Sequence, residues 1–198
     1  MIEFSIDIKI LRAMSHLCGT DESRYVLMGL LVELADDIKV VATDGRRLGV
    51  YRINTKPEAK GRFVFPTYWL PWVKPPTIPT LIKVDGEKFT VYDLNNNCDI
   101  TGNLIDVQYP KWDQVIPQGA TSQVGQINFS TFLAEGFLKV AETLGGNSHV
   151  CIYPHGKGQQ FSIHIPDHPN FYGTLMGLRN SDDPHTIPNW LQPKTQNV

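Results

Sequence analysis

The sequence predicts an α+β protein in which a strand–helix–three-strand unit recurs about three times, short antiparallel strands forming curved sheets with helices on one face. Three observations lead there. The segments FSIDIKILRAMSHL, FVFPTYWLPWVK and INFSTFLAEGFLKVAETLG share a design: a short extended apolar lead, a small polar or Pro/Thr start signal, then a helix-period run. After each come short alternating apolar runs with turn residues between them. The leads fall at Phe4, Phe63 and Ile127, 59 and 64 residues apart.

In the first unit Ile8, Leu11 and Met14 or Ser15 recur at helical spacing behind Ser5 or Asp7 as N-cap. Strands are expected in YVLMGLLVELA, IKVVA and LGVYRI. The second helix is short, because Pro71 interrupts it and Pro75-Pro76 ends it after about two turns. Its strands are TLIKVD, KFTVYDL and DITGNLIDV. In the third unit Ser130 caps a helix carrying Phe132, Leu133, Phe137, Leu138 and Val140, and Gly145-Gly146 stops it. The strands HVCIYP, QFSIHI and YGTLMGL follow.

The expected organisation is one complete domain over 1–118, made of units 1–61 and 62–118, then a third half-domain unit over 119–180. The Pro-, Gly-, Ser- and Gln-bearing stretch VQYPKWDQVIPQGATSQVGQ marks the boundary between units two and three. Residues 181–198 lack periodicity and read as a flexible tail.

A formal charge of −2, from 18 basic and 20 acidic residues, argues against a strongly cationic nucleic-acid coat, so any such contact needs a local patch. Cys18, Cys98 and Cys151 are odd in number, widely spaced and without a CxxC pair, which fits idle thiols in a reducing compartment. With no apolar run near the ~20 residues of a membrane span, the expectation is a soluble cytoplasmic protein without membrane partners. His155, His164, Asp167 and His168 invite a metal reading, but Pro166 and Pro169 break any helix that would align them, so a turn is expected. The GKG at 156–158 lacks phosphate-loop spacing and reads as a hairpin turn. With no nucleophile motif or acid–base pair, the reading is a non-enzyme without catalytic residues, metal or cofactor.

The most specific string is ATDGRRL. The stretch SRYVLMGLLVELADDIKVVATDGRRLGVYRI closely resembles the middle domain of the bacterial sliding clamp, the beta subunit of DNA polymerase III, where a strand with a Gly-aliphatic pair precedes an ATDG-basic-RL hairpin. LIDVQYPKWDQVIP is similar to the family's run into an interdomain connector. INFSTFL and YGTLMGLR resemble the helix start and C-terminal strand of the closing half of its last domain. The likeness spans most of 4–180. It departs from the family in lacking counterparts to the first domain and to the opening half of the last, and in MGLRN where the family has Met-Pro-aliphatic-Arg-Leu.

The resemblance implies a DNA-clamp-like fold and a non-catalytic replication accessory protein, a processivity factor, and a phage or mobile element is the expected source. Such a protein encircles duplex DNA without sequence preference and holds a DNA polymerase or other partners by clamp-binding peptide motifs. It places a hydrophobic peptide pocket at Leu27, Thr43, Gly45, Arg46, Arg47, Leu48, Pro117, Asn128, Thr131, Leu175, Met176, Leu178 and Arg179. On the residues themselves, Gly45 permits a tight turn, Leu48, Leu175, Met176 and Leu178 offer apolar surface, and Arg46 or Arg47 can meet a carboxylate or carbonyl. Without the resemblance, Leu48, Leu175 and Leu178 read as core. The expected DNA-facing cations are Lys9, Arg12, Arg24, Lys74 and Lys139, although Glu135 and Glu142 share the third helix. An unpaired third unit should seek the third unit of another chain, so that a dimer forms an arc and a tetramer a ring. The alternative is a non-encircling adaptor or decoy that binds clamp-interacting peptides without DNA.

Overall fold

A computed structural model describes residues 1–73, 80–93, 98–117, 127–147, 149–156 and 159–178. Lys74, Arg179, the GKG turn at 156–158 beyond Gly156, and the expected tail lie outside the described residues.

The first unit opens with β1 (Ile2–Ile6), which alternates inward Phe4 and Ile6 with exposed Glu3 and Ser5. Asp7 then caps α1 (Ile8–Ser15) by accepting from the Lys9 amide at 2.8 Å. Ile8, Ile10, Leu11, Ala13 and Met14 bury one side of that helix. Tyr25 to Met28, expected as strand, belong to a 3-10 segment over Glu22–Met28, which Asp21 caps and Arg24 kinks. The strands β2 (Gly29–Leu34), β3 (Ile38–Thr43) and β4 (Arg47–Ile53) follow in antiparallel order.

The second unit contributes β5 (Gly61–Pro66), β6 (Thr80–Asp85), β7 (Lys88–Asp93) and β8 (Cys98–Asn103). Among the described residues its helix is the 3-10 turn Leu70–Trp72, with Pro71 inside it, where about two turns were expected. In the third unit Gly145 takes a left-handed conformation at the C-cap of α2 (Thr131–Leu144). The strands β9 (Cys151–His155), β10 (Gln160–His164) and β11 (Phe171–Met176) complete it. Residues 127–130, expected as the third extended lead, form no strand.

Two sheets result, β1-β6-β7-β8 and β5-β2-β3-β4-β11-β10-β9, and every pairing among the described residues is antiparallel. Units one and two exchange their first strands. β1 pairs with β6 in register Phe4↔Ile82, and β5 pairs with β2 in register Phe63↔Val32. The exchange threads an aromatic row through the core, Phe4 edge-on to Phe65, Phe65 to Phe89, and Phe89 beside Trp69. Arg12 of α1 ties the units further by donating to the Leu70 and Val73 carbonyls.

Unit three joins at the other end of the long sheet, where β11 pairs with β4 in register Gly173↔Gly49. Both helices pack beside that seam, α1 against β2, β3, β4 and α2, and α2 against β11. Cys18 lies buried at the end of α1, and burial pushes its thiol pKa up to about 12, which suits the idle thiol expected there.

Candidate peptide groove

The hairpin between β3 and β4 folds through its own polar atoms. Thr43 Oγ1 donates to the Arg47 carbonyl at 2.6 Å and accepts from the Gly45 amide at 3.0 Å. Asp44 Oδ1 accepts from the amides of Arg46 and Arg47 at 2.8 and 3.0 Å. Gly45 sits at φ +88, and a Cβ there would lie 2.3 Å from Nη2 of Arg24. The backbone conformation therefore favours glycine, while the guanidinium of Arg24, the far end of a flexible exposed side chain, would have to move aside for a Cβ.

Behind the hairpin, the outer face of the sheet is covered by residues from Ile105 to Ile116. Tyr109 is buried against Leu31, Val41, Leu48, Val50 and Val64, with Ile105, Trp112 and Ile116 packed around them. Its hydroxyl reaches the Val41 carbonyl at 3.4 Å, and burial pushes its pKa upward. The Val115 carbonyl accepts from Gln160 Nε2 at 2.6 Å, and the Met176 amide donates to the Arg46 carbonyl at 2.9 Å. Hairpin, connector and unit three are thereby joined around one concavity.

That concavity is an open, mainly apolar groove of about 500 Å³. It is lined by the buried Leu27 and Leu48, by Pro110, Trp112 and Val115 of the connector, and by Gln159, Gln160, Thr174 and Met176 of unit three. Arg24, Arg46 and Lys111 stand exposed at its rim. Among the described residues no His, Cys, Asp or Glu group could hold a metal, and the 165–170 stretch is a turn.

Of the residues expected in the pocket, Leu27, Thr43, Gly45, Arg46, Arg47, Leu48 and Met176 come together here. Leu175 does not, because strand alternation turns it to the helix side, where it is fully buried. Thr131 lies on a different concavity at the start of α2. Pro117, Asn128 and Leu178 stand outside the lining; Leu178 is exposed and its amide donates to the Asn128 carbonyl at 2.8 Å. Arg47 reaches the groove with only part of itself. It is buried, ion-paired to Asp44 at 3.0 Å, and donates to the Leu133 carbonyl of α2 at 2.9 Å, so Arg46 is the hairpin cation available to a ligand.

The helical cations are distributed differently from the expectation. Arg24 belongs to the groove, Arg12 is committed to the Leu70 and Val73 carbonyls, and Lys139 pairs with Glu135 at 2.8 Å, while Lys9 is exposed on α1. Arg24, Pro110, Lys111, Trp112, Val115, Thr174 and the two glutamines line the groove but were missed by the sequence reading. Alternation from Met176 points to Thr174, whereas Trp112 and the glutamines depend on how the connector folds back.

Strand exchange between consecutive units and helices packed beside an edge-to-edge strand seam are the architecture of the DNA-clamp fold. Solved structures bear this out. The DNA polymerase III subunit beta from Borrelia burgdorferi matches with a TM-score of 0.72 at 16% identity, over 91% of this chain and 64% of that one. The sliding clamp from Bacillus subtilis matches with 0.72 at 15%, over 91% and 64%, and the beta subunit from Thermotoga maritima with 0.71 at 15%, over 91% and 66%. This chain therefore has the fold of DNA polymerase III beta sliding clamps and spans about two thirds or less of the length of these relatives. No family model and no curated protein matches its sequence.

Proposed function

We propose that this protein is a clamp-like DNA replication accessory factor that holds partner proteins, a DNA polymerase among them, by short peptides docked in the groove between the β3–β4 hairpin, the connector and β11. The observation that supports this most is the groove itself. An apolar trough of about 500 Å³ with three exposed cations at its rim suits an extended peptide with apolar anchors and an acidic or carboxylate group. It lies where the sequence resemblance places the pocket, around the ATDGRRL hairpin. The apolar lining and the cations at the rim support a role in binding, and we read the protein as a non-enzyme that needs no cofactor.

Met176→Glu tests this reading. Met176 is 55% exposed, so the substitution leaves the core intact while placing a carboxylate in the apolar wall. Loss of binding to a fluorescent peptide carrying a clamp-binding motif, with an unchanged melting curve, is the expected result; undiminished binding would refute the groove. Leu48 serves this purpose less well, since it is 2% exposed and a charge there endangers the fold.

Encirclement of duplex DNA by an oligomer is the wider form of the proposal. The non-encircling adaptor or decoy is favoured by one observation, the commitment of Arg12 and Lys139 to partners within the chain. Retention on nicked circular DNA that disappears on linearisation supports the ring; equal retention on both forms, or none, supports the adaptor.

A further inference from the structure

Units one and two complete each other, whereas unit three has no mate among the described residues. When α1 and α2 are aligned on their caps, Asp7 and Ser130, the positions Ile10 and Leu133, Met14 and Phe137, and Leu17 and Val140 are buried in both. The next face differs. Ile8 and Leu11 are buried and Arg12 is bonded to carbonyls of unit two, whereas their counterparts Thr131 and Glu135 are exposed and Ala134 is half-buried. With Leu138 and Phe132, which is 71% exposed, they line a shallow open concavity. Among the described residues, the part of the helix that unit two covers in unit one is bare in unit three.

The strands repeat the contrast. β2 and β6, each the first strand after its unit's helical segment, are bordered by the exchanged strands β5 and β1. β9 holds the same place in unit three and, among the described residues, pairs with β10 alone. The nine residues 118–126 between the connector and unit three are too few to hold another unit.

We propose that the bare face of α2 and the free edge of β9 are a self-interaction surface, on which unit three of a second copy docks about a two-fold axis in the position unit two takes against unit one. The mate this surface fits is another strand–helix–three-strand unit with an uncovered helix face, and unit three is itself such a unit. Self-complementarity of one patch is what a two-fold interface requires. Small Ala134 lets two helices approach closely, and Phe132 and Leu138 supply apolar area around it. Pro154 withdraws one N–H donor from β9, so the strand contact is short and the helix face carries most of the interface. The inference rests on the fold and does not depend on the peptide groove.

Sedimentation or light scattering of the full chain at about 50 µM should give twice the 22.3 kDa chain mass. Ala134→Arg and Phe132→Asp should each return it to 22.3 kDa while the melting curve and groove peptide binding persist. Hydrogen exchange of the unmodified chain supplies a test that no folding defect can confuse: protection over Thr131–Leu138 should rise with protein concentration. A monomer at that concentration, a dimer that survives both substitutions, or exchange independent of concentration would overturn the proposal.

Discussion

Arg47 passes through the gap that Gly136 leaves in α2. A Cβ at Gly136 would stand 2.0 Å from Arg47 Nη1, and the guanidinium reaches from the Asp44 carboxylate to the Leu133 carbonyl. One residue of the ATDGRRL hairpin thus fastens unit one to the helix of unit three, across the seam that β4 and β11 form.

Replacing Gly136 by alanine should therefore reverse its usual effect. In an unconstrained helix the change stabilises by about 1 kcal/mol, but here it displaces a buried guanidinium and should cost about 1–3 kcal/mol. A lower urea midpoint with an unchanged slope is the expected result. A more stable variant would show that Arg47 moves aside freely.

Gly45→Ala should act on the groove as well as on stability. The left-handed φ of +88 costs an alanine about 1–2 kcal/mol, and the added methyl pushes Arg24 from its place over the turn. Peptide affinity should fall together with the melting temperature. If only stability falls, Arg24 takes no part in binding.

Arg46 and Arg47 are adjacent in sequence and should separate in experiment. Arg46→Ala should weaken a peptide bearing an acidic residue by about tenfold, ~1.4 kcal/mol, with the difference shrinking in high salt, and leave stability unchanged. Arg47→Ala should lower stability, because the Leu133 carbonyl and the Asp44 carboxylate lose a buried partner. Binding titrations paired with melts distinguish the two.

The pair also marks how far the sequence could be read. The repeated units and most strands were legible, because periodicity is a local signal; Asp7 of the two candidates caps α1, while Ser130 sits at the N-cap of α2 without a side-chain hydrogen bond. The exceptions were places where tertiary packing decides. Tyr25 to Met28 carry a strand-like apolar run but wind into a 3-10 segment, and residues 127–130 run beside Leu178 without joining a sheet. In the groove, the hairpin residues were legible from ATDGRRL, but sequence alone does not say which of two neighbouring arginines turns inward. Strand alternation would have excluded Leu175 in favour of Thr174. Arg12 looked like a DNA-facing cation because its acceptors, the Leu70 and Val73 carbonyls, lie in another unit.

Acid should loosen the turn between β2 and β3 in a defined direction. The hydrogen bond from Lys39, with Arg52 also donating, holds the Asp37 carboxyl below its ordinary pKa. A depressed folded-state pKa gives stability that is fully present above the unfolded value of about 3.9 and is lost as pH falls through the folded value. The stability difference between the unmodified chain and Asp37→Asn should be constant above about pH 5 and shrink as pH drops below 4. Denaturant titrations at stepped pH would show this; a difference that grows toward acid would reverse the assignment.

Lys9 and Arg12 lie on the same helix, yet their substitution should report on different properties. Arg12 is half-buried, and removing it strands the Leu70 and Val73 carbonyls, so Arg12→Ala should cost about 1–3 kcal/mol of stability. Lys9 is exposed, so Lys9→Ala should leave the melting curve alone. If α1 lies along duplex DNA, the loss of one phosphate contact should reduce the salt slope of DNA binding by about 1 per copy bound. Lys139→Ala should matter less than Lys9→Ala, because Glu135 already offsets that charge. A salt slope untouched by Lys9→Ala would take α1 away from the DNA.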